Sequence, residues 1–118
     1  VDLAWLDDDG SVLLLILFCA GQPHTYAREA VAMARLAEPE PAPLVMVTDM
    51  HTAELLAVRD ETILAQGLDS LPDTSNLRRF AQEYPVPHPA AEARAKESRI
   101  LHAYTGFLKT CCGEACAL

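Results

Sequence analysis

The sequence predicts a single small α/β domain, a β-sheet covered by helices. Three observations carry this expectation. Val12–Phe18 is the longest apolar run and is apolar on both faces of a strand, as in a strand at the middle of a helix-covered sheet. A second apolar strand, Leu44–Val47, follows after one helical stretch. The chain has 118 residues, 51% of them apolar, which suits one packed core better than two.

The elements follow in order. Val1–Leu6 alternates loosely and runs into Asp7-Asp8-Asp9-Gly10, a hairpin signal because glycine accepts positive φ. After the Ser11–Phe18 strand and a short loop, Thr25 is placed to cap a helix reaching about Ala37. Glu29 sits near that helix's positive end, and Tyr26, Ala30, Met33, Ala34 and Ala37 form its apolar stripe. Pro39, Pro41 and Pro43 end it. Leu44–Val47 closes in Thr48-Asp49. A strand, a helix and a second buried strand imply a parallel pair joined by a right-handed crossover.

Thr52–Arg59 is expected as a short helix and Glu61–Ala65 as a brief strand. Asp73 or Ser75 caps a helix in which Leu77, Phe80, Ala81 and Tyr84 recur at i, i+3, i+4 and i+7. Pro85, Pro87 and Pro89 break the chain. Ala90–Glu97 is rich in helix formers. Arg99–Phe107 either continues that helix, burying Ile100, Leu101 and Tyr104, or forms a strand ending at Gly106. Trp5 and Tyr104 read as packing residues.

The formal net charge is −8. Such a surface repels phosphate backbones and anionic membranes, and reads as a solvated acidic surface that favours solubility, or as one that meets a basic protein partner. The longest apolar run falls well short of the ~20 residues a membrane-spanning helix needs, so no membrane insertion is expected. The first residues, Val1-Asp2-Leu3, carry no basic region, so no signal peptide is expected from them. Three of the four cysteines, Cys111, Cys112 and Cys116, crowd the last eight residues rather than spreading through the chain. That spacing argues against a disulfide-stapled secreted domain and for a reducing compartment such as the cytoplasm. Residues 1–110 are therefore read as the domain and 111–118 as a cysteine-rich tail.

No complete catalytic constellation is visible, which points away from an enzyme. A P-loop, His-Glu-x-x-His, Gly-x-Gly-x-x-Gly and Gly-x-Ser-x-Gly are all missing. The candidates are dispersed. Cys111, Cys112 and Cys116 are soft ligands for zinc, copper(I) or a metalloid, and Cys112 and Cys116 can close a reducible disulfide. Cys19 ends the long strand; it is a core thiol, or a reactive one if His24 or Arg28 turns towards it. His24 and His51 follow successive strands and read either as ordinary loop residues or, with Asp49 at one sheet edge, as metal ligands or an acid–base pair. Asp7-Asp8-Asp9 reads as a solvated turn, since no full set of calcium ligands follows.

Asp9-Gly10, the strand ending in Phe18, Ala20 and the helix with Glu29-Ala30 and Ala34-Arg35-Leu36-Ala37-Glu38 resemble a redoxin-type thioredoxin domain. The resemblance continues through Leu44–Asp49, Asp73–Val86, and Val86-Pro87 at the cis-proline loop. Arg99–Leu108 stands at its last strand. It implies a thioredoxin-like βαβ core in a mixed sheet. The family's Cys-x-x-Cys positions hold Pro23-His24-Thr25-Tyr26 here, so thiol–disulfide exchange does not carry over to them. The resemblance then implies a domain with a degenerate redox site, serving as a protein-binding or structural subunit. Gly21, Tyr26, Glu29-Ala30, Pro43–Asp49 and 60–70 also resemble the N-terminal half of a nucleotide-sugar glycosyltransferase. That family holds a metal with Asp-x-Asp, a spacing shared by Asp7 and Asp9.

Overall fold

The computed structural model describes residues 3–37, 40–70 and 72–108. The fold is the expected α/β class. Its sheet has five strands in sequence order: β1 (Leu3–Leu6), β2 (Val12–Phe18), β3 (Leu44–Thr48), β4 (Ala53–Ala57) and β5 (Ile63–Gln66). Helix α1 (Pro23–Arg35) connects β2 to β3, and α2 (Thr74–Glu83) and α3 (Ala91–Leu108) follow β5. The sheet is mixed: β2 and β3 are parallel, and the other neighbouring pairs are antiparallel.

The first hairpin turns where expected. Gly10 adopts φ 87° and donates to the Asp7 carbonyl at 2.9 Å. A Cβ in that left-handed conformation is disfavoured, which explains glycine there.

The apolar pattern divides into two layers. Leu15, Val45, Val47 and Leu56 face Ala27, Ala30, Val31 and Ala34 of α1. Leu14, Ile16, Leu44 and Leu55 face Leu77, Phe80 and Ala81 of α2. Side chains alternate across a strand, yet Leu13 and Leu14 both belong to the α2 layer. The register explains this: Trp5 pairs with Leu14 and Leu6 with Val12, so Leu13 is an extra, bulged residue. The same device recurs at Leu64, because Leu55 pairs with Ala65 and Leu56 with Ile63. Leu64 and Ala65 likewise share the α2 layer. Val31, Leu44, Val45, Val47, Leu55 and Val58 are fully buried, each contributing about 1.5–3 kcal/mol of apolar transfer.

Three expectations need correction, and the choice left open between helix and strand after Arg99 is settled. Thr52–Arg59 is not a helix: Ala53–Ala57 is strand β4, buried throughout. Alanine, leucine and glutamate favour helix locally, but pairing with β3 and β5 overrides that preference. Helix α1 starts earlier than Thr25. Gln22 occupies the cap position and Pro23 the first turn, where its missing N–H costs nothing. Glu29 therefore lies beyond the first turn; of the expected stripe, Ala30 and Ala34 are buried and Tyr26 and Ala37 pack against the same core, but Ala27 and Val31 rather than Met33 complete it. Finally, Arg99–Leu108 continues helix α3 and is not a strand. Ile100 and Leu101 are half-buried. The side chain of Tyr104, and all of Pro39, lie outside the described residues. Asp73 does cap α2, its carboxylate accepting from the Asn76 N–H at 2.9 Å.

Helix α3 packs on α1, on the far side from α2. Glu97 in α3 is 6% exposed and bonds to Arg28 and Arg35 of α1. No helix among the described residues is long and apolar enough to cross a membrane.

Candidate functional site

The parallel strands β2 and β3 end side by side, and the chain leaves them in opposite ways. After β2 it turns into the N-terminus of α1. After β3 it makes a tight loop into β4. In α/β sheets this carboxyl edge is where ligands usually sit.

Cys19 follows β2 directly. Its N–H donates to the Thr48 carbonyl at 2.9 Å, continuing the β2–β3 pairing by one residue. Its Sγ lies 3.5 Å from the Thr48 carbonyl oxygen and 3.7 Å from that of Gly21. The thiol is half-buried, and it is the free cysteine found among the described residues. Burial pushes its pKa up, and the negative charges of Asp49 and Glu29 push the same way. The group is therefore held as a thiol, the opposite of what an attacking thiolate needs.

Asp49 is occupied with its own loop. One carboxylate oxygen accepts from the N–H groups of His51 and Thr52, each at 2.9 Å. These backbone donors, Thr52 first, hold its carboxyl below the ordinary value. Thr48 completes the turn, donating from Oγ1 to the Thr52 carbonyl at 2.7 Å and accepting from the Met50 N–H at 3.0 Å. Met50 takes φ 76° and is 67% exposed. A non-glycine residue in the left-handed region is strained, and here those bonds on either side hold it.

His24 turns elsewhere. Its Nδ1 lies 3.3 Å from Oε1 of Glu54 in β4. Glu54 is 8% exposed and accepts on its other oxygen from Gln66 Nε2 at 3.2 Å. The expected meeting of Asp49, His24 and His51 is therefore replaced by two separate arrangements, Asp49 with its loop and His24 with Glu54. Among the described residues no group of three or more His, Cys, Asp or Glu side chains is placed to hold a metal ion.

Asp7 and Asp9 do not face one site. Arg78 Nε donates to Asp7 at 2.8 Å, while the Ser11 hydroxyl donates to Asp9 at 2.6 Å. The remaining candidates, Cys111, Cys112 and Cys116, lie outside the described residues.

Glu54 was hidden in the sequence because it sits in a stretch read as a helix, where a glutamate faces solvent without comment. Read as a strand, Ala53-Glu54-Leu55-Leu56-Ala57 places a carboxylate in a buried row, a pattern that demands a partner. Among the described residues, Thr48 and Glu97 are the other buried polar ones. No protein-family model, curated protein or solved structure matches the chain.

Proposed function

We propose that this chain is a protein-binding or structural subunit whose thioredoxin-like βαβ unit, β2–α1–β3, carries a degenerate redox site. The observation that carries the reading is Cys19. It stands at the end of β2, just before the loop that would hold a redox pair, and its surroundings keep it protonated. Pro23, His24, Thr25 and Tyr26 occupy the first turn of α1, so its N-terminus stabilises no thiolate. Binding is supported by the large exposed apolar side chains of the edge strand β1, Leu3, Trp5 and Leu6. The likeness to thioredoxin rests on the βαβ unit, since β4 and the helix at 91–108 depart from it.

The test is an insulin-reduction assay with dithiothreitol. Purified protein is expected to leave the turbidity rate at the uncatalysed level. A catalysed rate that disappears in Cys19→Ser overturns the reading.

A second reading rests on the tail, where three thiols fall within six residues. It makes the chain a carrier for zinc or another thiophilic metal, bound through Cys111, Cys112 and Cys116. Zinc titration monitored by thiol accessibility at these residues tests it: one equivalent protecting all three supports the carrier, and unchanged labelling removes it.

A further inference from the structure

We infer that β1 is a docking edge: an extended segment of a basic partner protein adds as a further strand beside Leu3–Leu6. This deepens the protein-binding reading and rests on it.

The backbone supplies the first observation. Among the described residues β1 is an outer strand paired on one side with β2. Its four residues, Leu-Ala-Trp-Leu, are all exposed and include no charge and no proline. Natural edge strands are usually blunted by exactly such residues, because their free N–H and C=O groups template another strand. The opposite edge, β5, also has no charge and no proline, but it offers less: Ile63 is 43% exposed, while Leu64 and Ala65 are packed in the α2 layer and Gln66 is tied to Glu54.

The side chains supply the second. Leu3 and Trp5 pair with Ile16 and Leu14 and so share the α2 face of the sheet. That face is incompletely covered. Trp5, Leu14, Ile16, Met46, Leu55 and Leu77 line an apolar hollow beside β1, and Leu3 and Trp5 remain 53% and 42% exposed. Alternate side chains of an added strand would pack against Leu3 and Trp5, and the intervening ones against Ala4 and Leu6.

Charge selects the occupant. The strand runs into Asp7-Asp8-Asp9, and the Asp8 side chain is 97% exposed. Arg78 serves both Asp7 and Asp8, so the turn keeps a net negative charge. A second copy would bring another acidic turn and another body of net charge −8. An extended segment ending in lysine or arginine meets the turn favourably instead.

Trp5 is the one tryptophan in the chain, so the site reports on itself. The probes are three pools of blocked heptapeptides with Val, Ile or Phe at alternating positions and Thr between. One pool has lysine ends, one has glutamate ends, and one has lysine ends with alternate backbone nitrogens methylated to remove strand donors. The lysine pool is expected to shift Trp5 emission saturably to the blue and to slow amide exchange across Leu3–Leu6. The glutamate pool should bind about ten-fold more weakly at low salt, and the methylated pool should give no protection. Leu3→Lys, a change at an exposed position, should abolish binding and leave the folded spectrum intact.

Absence of a saturable shift with the lysine pool overturns the inference. So does equal binding of the methylated pool, which would mean apolar adhesion without strand addition. So would sedimentation showing a dimer that Leu3→Lys dissociates, which would make a second copy the occupant. Each of these results leaves the insulin assay, and hence the loss of redox function, standing on its own.

Discussion

Arg35 in α1 donates to the buried carboxylate of Glu97 in α3 at 2.7 Å, and that contact holds the last helix to the body of the protein. Arg28 reaches the other carboxylate oxygen at 2.8 Å. Arg35 also donates from Nε to the Val58 carbonyl at 3.2 Å, so the same guanidinium ties α1 to the end of β4. Most of the neighbouring α3 positions are exposed. Among its described side chains, helix α3 is thus seated by a charge cluster more than by an apolar seam. Glu97→Gln keeps the shape and removes the charge, leaving two guanidiniums facing a neutral amide. The expected loss is about 2–3 kcal/mol, read as a lower urea midpoint. Faster amide exchange in α3 than in β2 would show that the helix lets go first.

The same carboxyl sets an acid limit. Burial pushes its pKa up, but Arg28 and Arg35 outweigh burial and hold it below its ordinary 4.5. A carboxyl depressed in the folded state contributes its full stability above that ordinary value. The contribution is lost as pH falls through the depressed value. Urea midpoints measured from pH 6 down to pH 3 should therefore drop more steeply in the wild type than in Glu97→Gln. Parallel curves would assign the acid sensitivity to other carboxylates.

Cys19 should alkylate slowly. Burial first, then Asp49 and Glu29, raise its pKa above the ordinary 9.0, and the thiolate is the reacting form. At pH 7.5 the rate with iodoacetamide, followed by mass spectrometry of the Cys19 peptide, should fall below that of free cysteine. Asp49→Asn removes one of the negative charges and should raise the rate.

How much of this was legible in the sequence depends on how far each contact reaches. The β2 and β3 strands, the turn at Gly10 and the Asp73 cap are written in adjacent residues and read correctly. Strand β4 was not, because Ala53–Ala57 is locally a good helix and becomes a strand only between β3 and β5. The stripe of α1 was legible in Tyr26, Ala30, Ala34 and Ala37, but Met33 was placed in it where the smaller Ala27 and Val31 let the helix approach the sheet closely. The Glu97 cluster was invisible for a different reason. Its arginines lie 69 and 62 residues away, and no local spacing announces such a pairing. At the candidate site, the positions of Cys19 and His24 were legible, but the Glu54 partner depended on the misread strand.

The cap on α2 gives a prediction of known scale. Asp73 accepts from the Asn76 N–H at 2.9 Å, satisfying one of the free donors at the helix start. Asp73→Ala should cost about 1 kcal/mol, and Asp73→Ser much less. Thermal melts of the two variants measure the difference.

Leu77 offers the sharpest stability test, because it links α2 to the proposed docking face. It is 2% exposed, belongs to the layer with Leu14, Ile16, Leu44 and Leu55, and lines the same hollow as Trp5. Truncation to alanine removes buried apolar contact and enlarges a space already open on one side. The expected cost is about 2–5 kcal/mol, towards the lower end if water or Trp5 moves in to fill the gap. Trp5 emission separates these outcomes in the native state. A red shift means that solvent has entered the hollow, and a blue shift means that the indole has moved inward. A loss under 1 kcal/mol with unchanged emission would show that α2 contributes little to covering this face.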